Sequence, residues 1–156
     1  MAEAYLALKW VHVVGATLLF GTGLGTAFHF WMAHRTGDAR TIAAAARVTV
    51  IADYAFTLPA VVLQPLTGMA LAHMAGYPLG SPWIVASVLL YLLAGACWVP
   101  VVFIQRRLRD IAGRCAAAGK APDAEYARLA RWWFALGWPA FLALAAVFWL
   151  MIARPA

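Results

Sequence analysis

Residues 82–104 read PWIVASVLLYLLAGACWVPVVFI, a stretch without a single charged side chain that ends against Gln105, Arg106 and Arg107. A bilayer-crossing helix needs about 20 consecutive apolar residues, and this stretch meets that length. Three more stretches of the same kind flank it, giving spans at residues 5–33, 48–77, 82–104 and 132–153. Hydrophobic residues make up 65% of the 156, charged residues 12%, whereas soluble domains carry about 25% charged residues. Mean hydropathy is +0.80. The expectation is an all-α, four-helix transmembrane bundle forming one integral membrane domain over residues 1–156, with no room for a second.

The first apolar stretch is too long for a signal peptide, has only Lys9 as an early cation and lacks a small-residue cleavage site, so it reads as a retained span. Tryptophans at 83, 98, 132, 133 and 149 fall mostly near the span ends, where amphipathic rings are favoured. Basic residues set the expected orientation. Of the 12 Lys and Arg, ten lie in two connections: Arg35, Arg40 and Arg47 between spans one and two, and seven from Arg106 to Arg131 between spans three and four. Both basic connections are therefore expected in the cytoplasm, and both termini in the periplasm of a bacterial inner membrane. The same asymmetry accounts for the net charge of +6 without a nucleic-acid partner. The long basic connection is Ala-rich and helix-permissive on both sides of Gly119–Pro122, with Asp123 as an expected N-cap. Cys97 and Cys115 sit too far apart for a disulfide, and neither has the neighbours of a zinc site.

Ionisable residues inside a span are costly and mark functional candidates. His12 lies about 10 Å below the outer face and His73, near the end of the antiparallel second span, about 6 Å. Two imidazoles on facing helices would suit an axially ligated haem iron or another metal. Gly15 near His12, and Gly68, Ala70 and Gly76 near His73, would leave room for a macrocycle. No Cys-x-x-Cys-His occurs, so such a haem would be non-covalent haem b. The competing reading is that each histidine bonds a hydroxyl or carbonyl of a neighbouring helix. Lys9, one turn before His12, either meets a haem propionate or snorkels to headgroups. His29, about 25 Å along the helix from His12, is expected beside Asp53, as an ion pair, a proton relay or part of a second metal site. His34 beside Arg35 reads as a solvated interfacial residue. Gln64 needs a hydrogen-bond partner in mid-membrane, and Pro59, Pro65, Pro100 and Pro139 would kink their helices and open a central cavity. Gly21 and Gly25 form a GxxxG pair suited to helix packing or a homo-oligomer.

Three segments carry a family resemblance: LKWVHVVGATLLFGTGLGTAFHFWMAH at 8–34, IADYAFTLPAVVLQPLTGMALA at 51–72 and VPVVFIQRRLRD at 99–110. They resemble an uncharacterised bacterial family of predicted integral membrane proteins, domain of unknown function 2269. More distantly, Leu8, Lys9 and His12 are similar to the Leu-Lys-x-x-His opening of HemJ-type protoporphyrinogen oxidases and CopD-like copper proteins. That second resemblance implies a haem-ligand role for His12. Where HemJ-type proteins carry a lysine at the start of the third span, this chain has Ser81, Pro82, Trp83 and Ile84, which argues against the same oxidase chemistry and leaves His73 as the second axial ligand. The expected function is a haem b redox protein moving electrons to or from a quinone or porphyrin-type partner. Metal-ion or small-solute transport through His12, His73, His29 and Asp53, and a structural or assembly subunit, are the alternatives.

Overall fold

The computed structural model describes residues 2–154. Five α-helices follow in order: α1 (Ala2–Arg35), α2 (Ala39–Ala52), α3 (Leu58–Met74), α4 (Pro82–Ala117) and α5 (Ala124–Ala153). A π-helical turn over Asp53–Thr57 joins α2 to α3 as one rod, so the bundle has four long helices, each long and apolar enough to cross a membrane. Among the described residues there is no strand. The helices outrun the apolar stretches that announce them. At 36 residues α4 is about 54 Å long against a hydrocarbon thickness of about 30 Å, so its basic last third, from Arg106 to Ala117, stands beyond the apolar zone.

The helix ends have local causes. Gly76 (φ +72°) and Gly119 (φ +64°) adopt the left-handed conformation that a Cβ disfavours. At Gly76 the amide of Tyr77 reaches back to Ala72 O at 3.0 Å, and at Gly119 that of Lys120 to Cys115 O at 2.9 Å, which closes α3 and α4. Asp123 is the N-cap of α5, as its position after Pro122 implied, accepting from Tyr126 N at 2.9 Å. Asp38 caps α2, and bonds from the Thr41 hydroxyl and amide hold its carboxyl below the ordinary carboxylate range.

Two of the four expected proline distortions have visible consequences. Pro59 lacks an N–H, and in an α-helix its ring would strike the Ala55 carbonyl four residues back. The chain widens there instead, with the Leu58 amide bonding Asp53 O in a π-type turn. Pro65 leaves Val61 O without its helical donor, and the Tyr91 hydroxyl from α4 supplies one at 2.7 Å.

Packing differs between the two ends. At the basic end Phe30, Ile42, Leu108, Ile111, Tyr126 and Trp133 form a closed core, with Phe30 edge-on to Trp133 at 5.1 Å between ring centroids. α4 lies along α5, α2 along α4, and α1 along the α2–α3 rod. Backbones of α1 and α5, and of α3 and α4, do not approach in the same way. Phe20 of α1 spans the first gap to Phe141 and Phe148, at 5.5 and 5.4 Å.

Candidate functional site

The gap between the helix pairs is a chamber of about 1060 Å³, walled by α1, the α2–α3 rod, α4 and α5. That is the upper end of the ~300–1,000 Å³ typical of small-molecule pockets. Its mouth lies between α1 and α5, where Leu24, Phe28, Trp138 and Leu142 border it and are each more than half exposed. These residues lie in the middle of apolar helices, so the mouth faces lipid rather than water.

One side of the chamber carries a polar network. Asp53, at the π turn, accepts from the Thr57 hydroxyl at 2.8 Å and from Gln105 Nε2 at 2.6 Å. Gln105 Oε1 accepts from Trp133 Nε1 at 3.3 Å. Because an indole N–H only donates, Trp133 fixes the Gln105 amide with its oxygen toward α5 and its nitrogen toward Asp53. All four side chains are buried. Trp98 differs: its Nε1 is buried with no partner among the described residues, a state that costs about 1–3 kcal/mol for a neutral group. Asp53 and Trp98 also border a lipid-facing groove edged by Tyr54, Leu58, Val99, Val102 and Phe103, most of them exposed.

His12 lies outside this chamber, on the seam of α1 with α3. Its Nδ1 is 2.7 Å from Thr67 Oγ1, whose own hydroxyl donates to Leu63 O at 2.7 Å. In the tautomer with its proton on Nδ1 the ring donates to Thr67 Oγ1 while that hydroxyl serves Leu63 O, and the lone pair stays on Nε2, which makes no hydrogen bond to the described residues. Gln64 finds the partner it needs in His12 O, at 2.9 Å.

Several expectations about these residues are corrected. Gly15 and Gly68 do not leave a slot for a macrocycle: a Cβ on Gly15 would stand 2.6 Å from Gln64 Nε2, and one on Gly68 3.2 Å from His12 Cε1. Those gaps are already filled by the two side chains that stitch α1 to α3. His73 does not face His12 within the chain. It lies six residues beyond Thr67, about 9 Å along the axis and about 120° around it, on the exposed last turn of α3. Matching the two by depth from the span ends ignored this rotation. His29 is exposed and does not pair with Asp53, whose carboxyl is held by Thr57 and Gln105 instead. His34 is not solvated: it is half-buried, stacks on Tyr126 with its Nδ1 3.3 Å from the hydroxyl, and borders the chamber. Lys9 is exposed and makes no ion pair among the described residues. Among the described residues no three His, Cys, Asp or Glu side chains converge as a metal-binding group.

Trp98, Gln105, Thr57 and Tyr91 were missed from sequence. Gln105 had a readable signal, an amide at the inner edge of an apolar run. Trp98 looked like an interface residue, and nothing local distinguishes an indole turned inward.

The fold and the site together define a four-helix integral membrane protein with a laterally open interhelical chamber. The chain belongs to the DUF2269 family of predicted integral membrane proteins, whose family model covers residues 6–155. No curated protein and no solved structure matches it.

Proposed function

We propose that this protein works in the bacterial inner membrane by drawing a lipid-soluble ligand of quinone or porphyrin type from the bilayer into the chamber. The observation that carries the reading is the combination of an interhelical chamber and a mouth toward lipid. A purely structural subunit would be expected to fill its interior, because packed cores leave few voids larger than a water molecule. A permease built on His12, His73, His29 and Asp53 finds little support, since these four groups line no common path.

The test uses the tryptophans of the wall, Trp31, Trp98, Trp133 and Trp138, as reporters. Purified protein in nanodiscs is titrated with a short-chain benzoquinone and with protoporphyrin, and intrinsic fluorescence is followed. Saturable quenching is expected for one of them. Gly95 borders the chamber with nothing within 4 Å of its would-be Cβ, so the side chain of Gly95→Phe starts into open space and should abolish saturation at unchanged helix content. Unsaturable quenching of the wild type by both probes sinks the reading.

A second reading, haem b held by His12 in a redox protein, rests on the Nδ1–H tautomer that the Thr67 contact accommodates. An imidazole whose Nδ1–H is oriented by an oxygen and whose Nε2 is free is the arrangement of haem- and metal-ligating histidines. His12 would hold the iron and Lys9, one turn earlier, would meet a carboxylate of the group, which supplies one-electron chemistry when bound. Air-oxidised and dithionite-reduced absorption spectra should show a Soret band that His12→Ala removes and His73→Ala leaves. A spectrum without that band after expression with ample haem ends this reading and leaves the first untouched.

A further inference from the structure

The two lips of the chamber mouth carry the same pattern. On α1 the mouth is bordered by Leu24, Phe28 and Trp31, and on α5 by Leu142, Trp138 and Phe134. At helical spacing each lip continues into an arginine: Arg35 follows Trp31 by four residues, and Arg131 precedes Phe134 by three. α1 runs toward the basic end and α5 away from it, so both arginines stand at that end. Their common level is fixed by His34, whose ring lies 5.6 Å from Tyr126 and 6.3 Å from Phe134, residues on either side of Arg131 along α5. Arg35 and Arg131 also flank the apolar stretches 5–33 and 132–153, at the depth where lipid headgroups begin.

Both arginines are exposed, and neither has an acidic partner among the described residues. The carboxylates of this end are committed elsewhere: Asp38 to Thr41, Asp110 to Arg109, Asp123 to the Tyr126 amide and Glu125 to Arg107. Asp53, on the chamber wall, has its oxygens bonded by Thr57 and Gln105, and its position inside the second apolar stretch holds an anion off at the arginines rather than drawing it further in. Arg35 folds back with its Cζ 5.2 Å from the Trp31 ring centroid, which lays the guanidinium on the α1 lip, and Arg131 borders the chamber itself. From Arg131 the lining of α5 continues to Ala145, about 21 Å along the helix, which exceeds the ~15 Å of one leaflet in a ~30 Å hydrocarbon core.

We infer that the mouth seats one anionic phospholipid, with its phosphate between Arg35 and Arg131, one acyl chain inside the chamber and the other in the bilayer. A guanidinium pairs with phosphate through parallel N–H bonds. A two-chained lipid needs a site open along its side, because its head and second chain stay outside, and the slot between α1 and α5 has that form. This inference shares the chamber with the proposed function but not its ligand, so quinone or porphyrin quenching tests that reading and lipid retention tests this one.

Native mass spectrometry of the detergent-purified protein, offered phosphatidylglycerol and phosphatidylcholine with the same acyl chains, reads retention. Wild type should keep one phosphatidylglycerol in preference to phosphatidylcholine. Arg35→Gln and Arg131→Gln should each weaken that binding about fivefold, the effect of one cation near an anionic headgroup. Arg114→Gln, which removes an exposed arginine of α4 beyond the apolar zone, should change it by less than about twofold. Equal retention of the two lipids, or an Arg114→Gln loss as large as those at the lips, overturns the site, because surface charge alone would then hold the lipid. Phosphatidylglycerol brominated at mid-chain tests where the chain goes: tryptophan quenching should saturate at one equivalent in wild type and be lost in Gly95→Phe. Quenching that never saturates, or that Gly95→Phe leaves intact, overturns the placement of a chain in the chamber. Both arginines are exposed, so the glutamine variants should keep wild-type helix content; should one unfold, the lysine variant takes its place and, lacking the paired N–H geometry, should still bind more weakly than wild type.

Discussion

Gly15 and Gly68 show how a small residue in a membrane helix is read one way from sequence and used another in the fold. Both lie where α1 meets α3, and each admits one side chain from the opposite helix: the Gln64 amide over Gly15, the His12 ring over Gly68. The distances rank their substitutions. Gly15→Ala would place a Cβ 2.6 Å from the nitrogen that bonds His12 O at 2.9 Å, so the amide must move and the bond is lost. Gly68→Ala meets His12 Cε1 at 3.2 Å, which a small ring tilt relieves. Thermal unfolding in detergent should show Gly15→Ala destabilised by about 1–3 kcal/mol and Gly68→Ala by less than about 1 kcal/mol. In a Gln64→Ala background the Gly15→Ala penalty should disappear, the coupling expected of residues in contact. The sequence singled out His12, Gln64 and these glycines, but read the glycines as room for a macrocycle. It could not assign who fills which gap, because helices apolar all round carry no periodic signal of rotation.

At the scale of the element, prolines decide where polar backbone goes, and the α2–α3 rod answers two of them differently. Near Pro59 the chain adopts a π turn, which adds a residue to the rod and shifts the face before it relative to the face after it. Asp53 sits at this shift and meets Gln105 of α4, and His29, at a similar depth on α1, is left on the lipid side. Helix ends were readable from Gly119 and Asp123, because caps are local chemistry. The π turn was not, since no short pattern separates it from a proline kink. Pro65 is handled by another helix, and that yields a test. Tyr91→Phe strands Val61 O and should cost about 1 kcal/mol, whereas Pro65→Ala restores the helical donor to the same oxygen. In the Tyr91→Phe/Pro65→Ala double variant the penalty should shrink to a few tenths of a kcal/mol, read as a coupling energy in a double-mutant cycle. Equal penalties in both backgrounds would mean that the hydroxyl does not substitute for the missing amide.

For the whole molecule, the closed core and the basic charge coincide at one end, and the lipid-facing mouth of the chamber opens between α1 and α5 just beyond that core. Arg107 and Glu125 bridge α4 and α5 at 3.0 Å beyond the apolar zone, where water screens both side chains, so that contact fixes little of the fold. What the charges do is set direction. Ten of the twelve Lys and Arg lie at or between the ends of α1–α2 and α4–α5, and short basic connections stay on the cytoplasmic side. By that rule the tight polar network is expected nearer the cytoplasm, and the α3–α4 connection with both termini outside. Two exposed positions separate this arrangement from its inverse: Gly80 in the α3–α4 connection and Lys120 between α4 and α5. In a background with Cys97→Ser and Cys115→Ser, an impermeant maleimide should label Gly80→Cys in intact spheroplasts and Lys120→Cys only in inverted vesicles. The reverse pattern would put the basic end outside, and labelling of both positions from one side would break the even number of crossings. Whichever side is found, the chamber mouth between α1 and α5 stays within the apolar zone, so the route of a lipid-soluble ligand does not depend on the answer.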